Sequence, residues 1–190
     1  MKKVNVPSAS SPFVVFLFAL LQVSATHTKA QADRVDPLLP VCKTVGGGST
    51  YFGVDFCMSA LGSDNRAHHD EGYGALSIIA VDLVAANATS TGAKITGLLK
   101  KAAGKEDDDA SLLSCQALYS GILDLLPGCT AAINGGKFDR AALSLEKAAS
   151  AANECEDQFR SHSEASPLTV ENGFAFKLAK LAVALLRFAS

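Results

Sequence analysis

The sequence predicts an all-α protein whose main body is an up-down-up-down four-helix bundle. Two observations predict it. Four long stretches after residue 72 repeat apolar residues at a period near 3.6, the spacing of one helix face. No stretch alternates apolar and polar residues as a half-buried strand does. Short connectors join the four stretches, so consecutive helices pack antiparallel and bury their stripes on one another.

The elements follow in chain order. Lys2 and Lys3 precede an apolar run over residues 13–21, and small Ser24 and Ala25 come after it. A basic start, a short apolar core and a small-residue exit describe a secretory leader over 1–25. The run falls short of the roughly 20 residues a bilayer span requires. No later apolar run reads as long and uninterrupted enough to anchor the chain, so the mature form is expected to be secreted and free of membrane. Residues 26–40 read as a polar connector. Residues 41–64 form a short unit bounded by Cys42 and Cys57, with Gly46, Gly47 and Gly48 as a flexible turn between them.

The bundle occupies 72–190. Its first helix spans about 73–103, with Leu76, Ile79, Ala80 and Leu83, then Ile95, Leu98, Leu99 and Ala102, on one side. Residues 87–92 are polar and poor helix formers, which predicts a less regular turn there. The second helix starts at Asp107, Asp108 and Asp109, whose carboxylates oppose the helix dipole and cap free amides. Its stripe runs from Cys115 through Tyr119, Ile122 and Leu126 to Cys129 and Ile133. The stripe keeps phase across Pro127-Gly128, so a kink is expected there in place of a stop. The third helix follows Asn134-Gly135-Gly136 and is rich in alanine along its stripe, which lets a neighbour approach closely. The fourth follows Ser166-Pro167, a cap with proline in the first turn; its stripe is Phe174, Leu178, Leu181, Leu185 and Phe188.

The cysteines test this arrangement. With the turn between the second and third helices at Gly135-Gly136, Cys115 and Cys155 each lie about 20 residues from it, so an antiparallel pair brings them level. Cys115 and Cys129, on one helix, are roughly 21 Å apart at 1.5 Å per residue, beyond disulfide reach. Cys115–Cys155 is therefore expected, and Cys42–Cys57 is the remaining local pair. Cys129 shares the apolar stripe and reads as a buried free thiol; the alternative is a reactive or intermolecular cysteine. Asn87-Ala88-Thr89 is a glycosylation sequon, pertinent to a chain on the secretory route.

The chain has 190 residues, 48% of them hydrophobic and 19% charged, which suits one folded domain and excludes disorder. Lys and Arg total 17 against 19 Asp and Glu, with no concentrated basic face, so nucleic acid is not an expected partner. Adjacent His68 and His69, with Asp70 and Glu71, lack a second ligand pair at a spacing that completes a shell, so no metal site is expected. Nucleophile elbows, phosphate loops and dinucleotide fingerprints are missing, and with them any catalytic residue or cofactor. The protein is not expected to be an enzyme.

One further set of residues is informative together. The leader, the hairpin pattern Cys42…Tyr51…Cys57…Leu61, then Leu112-x-x-Cys115-x-x-x-Tyr119 and Cys155-Glu156-x-x-Phe159 resemble the plant invertase and pectin methylesterase inhibitor family. The resemblance runs from about Val41 to the C-terminus. It implies a four-helix bundle preceded by a short disulfide-closed helical hairpin, with a second disulfide joining the second and third bundle helices. It also implies a secreted inhibitor that occludes the active-site cleft of a plant enzyme in a one-to-one complex, in the apoplast or cell wall, with the vacuole as a second destination.

Two targets are implied: acid invertases, which split sucrose, and pectin methylesterases, which demethylate pectin. Invertase inhibitors of the family often carry Pro-Lys-Phe before the third bundle helix. This chain has Gly136-Lys137-Phe138 there, matching Lys and Phe and departing at Pro. A cation on a hairpin tip is drawn toward the paired carboxylates of a glycosidase cleft, and an aromatic beside it can fill an apolar subsite. The same pattern also fits Phe138 as a core position and Lys137 as a solvated turn residue. Lys137-Phe138 tips the reading to invertase, with pectin methylesterase as the alternative. A secreted helical carrier of lipid or another small ligand is a more distant one, at odds with the closely packed alanines.

Overall fold

The computed structural model describes residues 36–69, 72–102 and 106–189. Among these, six α-helices and one 3₁₀ turn form the structure and no strand occurs: α1 (Leu38–Gly46), α2 (Val54–Leu61), the 3₁₀ turn (Asn65–His68), α3 (Tyr73–Ala102), α4 (Glu106–Asn134), α5 (Phe138–Ser161) and α6 (Thr169–Leu186). The leader over 1–25 lies outside the described residues, as does the connector up to residue 35. Its remainder is shorter than expected, because α1 begins at Leu38. Asp36 starts that helix: its Oδ1 accepts from the Leu38 N–H at 2.9 Å.

Helices α3 to α6 pack in a closed ring, each against the next and α6 back against α3, while α1 and α2 form a hairpin touching α6 and α3. The core holds Leu76, Ile79 and Ile95 of α3, Tyr119, Ile122 and Leu126 of α4, and Leu178, Leu181 and Leu185 of α6. From α5 it takes Ala141, Ala148, Ala149 and Ala152 beside Leu145 and Phe159. Small side chains at four of these positions let its neighbours come close at native packing density.

Several expectations need correction. Residues 87–92 continue α3 without a break. The hydroxyls of Thr89, Ser90 and Thr91 donate back to the carbonyls of Ala85, Asn87 and Asn87 at 2.8, 2.9 and 2.8 Å. They therefore stay satisfied within the helix, and Ala88 and Thr91 are buried against its neighbours. Helix α4 runs through Pro127 as one element, in agreement with the expectation that the helix does not stop there. Pro167 lies ahead of α6 and outside its first turn, with Ser166 Oγ accepting from the Leu168 N–H at 3.1 Å. Phe174 and Phe188 are not core: they are 45% and 47% exposed and lie against Phe56 and Tyr73.

Gly46 is not part of a flexible turn either. It ends α1 buried, and a Cβ there would lie 3.0 Å from Gly53 C and Val54 N, so glycine is what lets α2 start against it. By length and composition alone two helices, α3 over Tyr73–Lys101 and α4 over Ala110–Asn134, are apolar enough to cross a membrane. This amends the reading that no run after the leader is. Leu76, Ile79 and Ile95 of α3 and Tyr119, Ile122 and Leu126 of α4 are turned into the bundle core, whereas Leu113 of α4 is exposed.

Candidate functional site

The α4–α5 connection is built by its backbone. The Lys137 N–H donates to Ala132 O at 2.8 Å and the Gly136 N–H to Ile133 O at 3.0 Å. Gly136 takes φ +67. This nested pair, closed by a left-handed glycine, is a Schellman cap, which satisfies the last carbonyls of a helix. Lys137 is then the N-cap of α5, so only one residue separates the glycine from the next helix. The tip is fixed without proline.

The three residues expected at the tip fare differently. Gly136 and Lys137 are exposed, whereas Phe138 is half-buried and packs against the core. Phe138 also lines a depression of about 580 Å3 with Leu143, Val183, Leu186 and Arg187. Lys137 and Arg140, one turn on, border a smaller recess with Gly135. Neither cation has an ion-pair partner among the described residues. Sequence reasoning passed over Arg140, although its distance of three residues from Lys137 puts it on the same end of the helix.

Behind the tip, α4 and α5 are joined by Cys115–Cys155, with Cα atoms 4.8 Å apart, and Cys42–Cys57 links α1 to α2 at 5.5 Å. Cys129 is free and buried, and its thiol donates to Ala141 O at 3.6 Å. Burial pushes that thiol up to about 11, so it stays protonated and unreactive at neutral pH.

The pattern residues Tyr119 and Glu156 meet in a polar chain inside the bundle. Tyr119 OH donates to Asn172 Oδ1 at 2.9 Å, and Asn172 Nδ2 donates to Glu156 Oε2 at 2.7 Å. Thr169 Oγ1 donates to Glu156 Oε1 at 2.7 Å. The chain ties α4, α5 and α6 together. Burial raises the Glu156 carboxyl, but the hydrogen bonds from Thr169, Asn172 and Ser166 and the charge of Arg160 outweigh it and hold the group below its usual range. Burial raises the Tyr119 phenol well above its ordinary value. Sequence reasoning missed Asn172, which sits in phase with buried Ala175, Ala179 and Ala182. An amide on an apolar face was the available signal.

The remaining candidates lie apart. Asn87 is half-buried in mid-α3, with Oδ1 enclosed and unpartnered. His68 Nδ1 is 3.9 Å from Asp36 Oδ1, while Asp70 and Glu71 lie outside the described residues. Asp107, Asp108 and Asp109 fall in the first turn of α4, and their side chains lie outside the described residues. No group of three or more potential metal ligands occurs among the described residues.

A disulfide-braced helical bundle behind a cross-linked hairpin, presenting a rigid cationic turn, is the class of protein the geometry defines. The profile of the plant invertase/pectin methylesterase inhibitor family matches residues 40–185. The chain belongs to that family. Its fold is similar to that of a pectin methylesterase inhibitor from Arabidopsis thaliana known from a crystal structure, at 17% identity and a TM-score of 0.58, over 80% of this chain and 95% of that one. At this identity the likeness speaks for the fold alone. No curated protein matches the sequence.

Proposed function

We propose that the protein is a secreted inhibitor that enters the active-site cleft of a plant acid invertase with its α4–α5 tip. The complex is one-to-one, forms in the cell wall, and involves no chemistry on the inhibitor. One observation carries the choice of target: Lys137 is exposed and has no ion-pair partner among the described residues, on a turn whose backbone is already locked by the Gly136 cap. A locked turn loses little freedom on docking. Its cation gains most where a glycosidase holds its paired carboxylates. Phe138, half-buried, supports the turn from beneath and offers only its outer edge.

Membership in the family supports pectin methylesterase as the second reading, and the Arabidopsis inhibitor shares the bundle. In that case a side of the bundle covers the cleft and the tip is idle. Assaying the purified protein against both enzymes separates the two. The invertase reading expects invertase inhibition to weaken about tenfold or more in Lys137→Glu, with circular dichroism unchanged. Full inhibition of invertase by a folded Lys137→Glu variant, or inhibition of pectin methylesterase alone, overturns it.

A further inference from the structure

The loop between α1 and α2 and the end of α6 border a half-open cavity of about 330 Å3, at the small end of the size range of small-ligand sites. Nothing in the inhibitory reading uses it. Two of its walls are aromatic rings left half in solvent, Tyr51 at 50% and Phe188 at 47%. Both rings are held in place. Tyr51 meets the edge of Phe176 at 5.5 Å between centroids and carries Lys180 Nζ 4.5 Å from its own. Phe188 lies 5.3 Å from Tyr73. Rings fixed this way lose little further freedom when a ligand lies against them.

The polar groups are also placed. Ser49 Oγ accepts from the N–H groups of Tyr51 at 3.2 Å and Phe52 at 3.4 Å, which leaves its proton free to donate. Thr50, exposed beside it, makes no side-chain hydrogen bond among the described residues. Lys180 is neutralised by Glu146. Arg187 lines the cavity, is exposed, and has no ion-pair partner among the described residues. Among the described residues the Arg187 guanidinium is therefore the uncompensated charge lining the cavity, and a guanidinium suits a carboxylate.

We propose that this cavity binds an acidic sugar ring, a pyranose bearing a carboxylate. The C–H face of the ring lies on the exposed aromatics, the carboxylate pairs with Arg187, and the ring hydroxyls meet Ser49 and Thr50. A purely apolar ligand leaves the guanidinium and both hydroxyls unused, and a neutral sugar leaves Arg187 unpaired. The proposal does not depend on which enzyme the tip meets.

Saturation-transfer NMR on the mature chain tests it with galacturonic acid, galactose and trigalacturonate. The two monosaccharides differ only at C6, carboxylate against hydroxymethyl. Galacturonic acid is expected to bind about tenfold more tightly than galactose, and Arg187→Ala to abolish the difference. Tyr51→Ala weakens both sugars by a similar factor. Much tighter binding of the trimer than of the monomer identifies a uronide chain as the source, and equal binding a free sugar. The proposal is overturned if the unmodified protein binds galactose as well as galacturonic acid, binds neither at millimolar concentration, or keeps its preference in Arg187→Ala. The monosaccharide comparison needs no variant, so a misfolded Tyr51→Ala leaves the outcome decided.

Discussion

Replacing Asn172 by leucine removes the middle link of the polar chain through the bundle while keeping the branched outline of the side chain, although leucine is the bulkier of the two. Tyr119 is 1% exposed and Asn172 2%, so water does not reach the phenol hydroxyl once its acceptor is gone. An orphaned buried hydroxyl costs about 1–3 kcal/mol, and losing the bond from Asn172 to the Glu156 carboxylate costs a further 1.5–3 or so. Glu156 is only partly buried, so water recovers much of the second penalty. About 3 kcal/mol in total is expected, a fall in Tm of roughly 6–12 °C for a chain of this size. Tyr119→Phe, which leaves Asn172 bonded to Glu156, is expected to cost about 1–2 kcal/mol. The double variant puts apolar groups on both sides and should cost at least 1 kcal/mol or so less than the sum of the two. Urea unfolding followed by far-UV circular dichroism supplies all three values. A cost below about 0.5 kcal/mol for Asn172→Leu, with an additive cycle, would refute the argument that this chain ties the three helices.

The remaining expectations are more local. Glu156 and Glu171 are both held below their ordinary value, Glu171 because the Lys94 ammonium at 2.7 Å outweighs its burial. The folded state therefore binds fewer protons than the unfolded one as pH falls. Stability from these groups is complete above the ordinary glutamate value of about 4.3 and is lost as pH drops through the native values. A Tm–pH series should show this fall, with a shallower slope in Glu156→Gln. Cys129, pushed up to about 11 and buried, should resist iodoacetamide at pH 8 in the native protein and react once unfolded in urea. Labelling of the native protein at the rate of a free thiol contradicts its burial. Gly136→Ala meets nothing within 4 Å, so its cost is the left-handed backbone alone, about 1–2 kcal/mol by denaturant unfolding. An unchanged midpoint shows that the turn does not need φ +67.

Much of the fold is legible because helix periodicity and chain reversal are local. Leu178, Leu181 and Leu185 mark the buried face of α6 by spacing alone, and Cys115 and Cys155 are level because both are counted from one turn. What escapes depends on partners distant in sequence. Phe174 and Phe188 share the spacing of the α6 stripe, yet their neighbours are Phe56 and Tyr73, so they lie on the flank where the hairpin and α3 meet α6. Residues 87–92 look like a break by propensity, and packing of Ala88 and Thr91 overrides it. At the tip, Lys137 and its exposure follow from sequence. Its rigidity rests on two backbone hydrogen bonds and a positive φ, and a glycine pair alone suggests looseness.

The bond between Cys115 and Cys155 also decides what a protease can do to the tip. The peptide bond after Lys137 lies inside the loop that this bond closes, and Lys137 is the kind of exposed basic residue that trypsin-like enzymes cut. A nick there separates no fragments: the two polypeptides stay covalently attached, each with its helices, and part only when a reductant is added. Survival in a protease-rich compartment can thus outlast the integrity of the backbone.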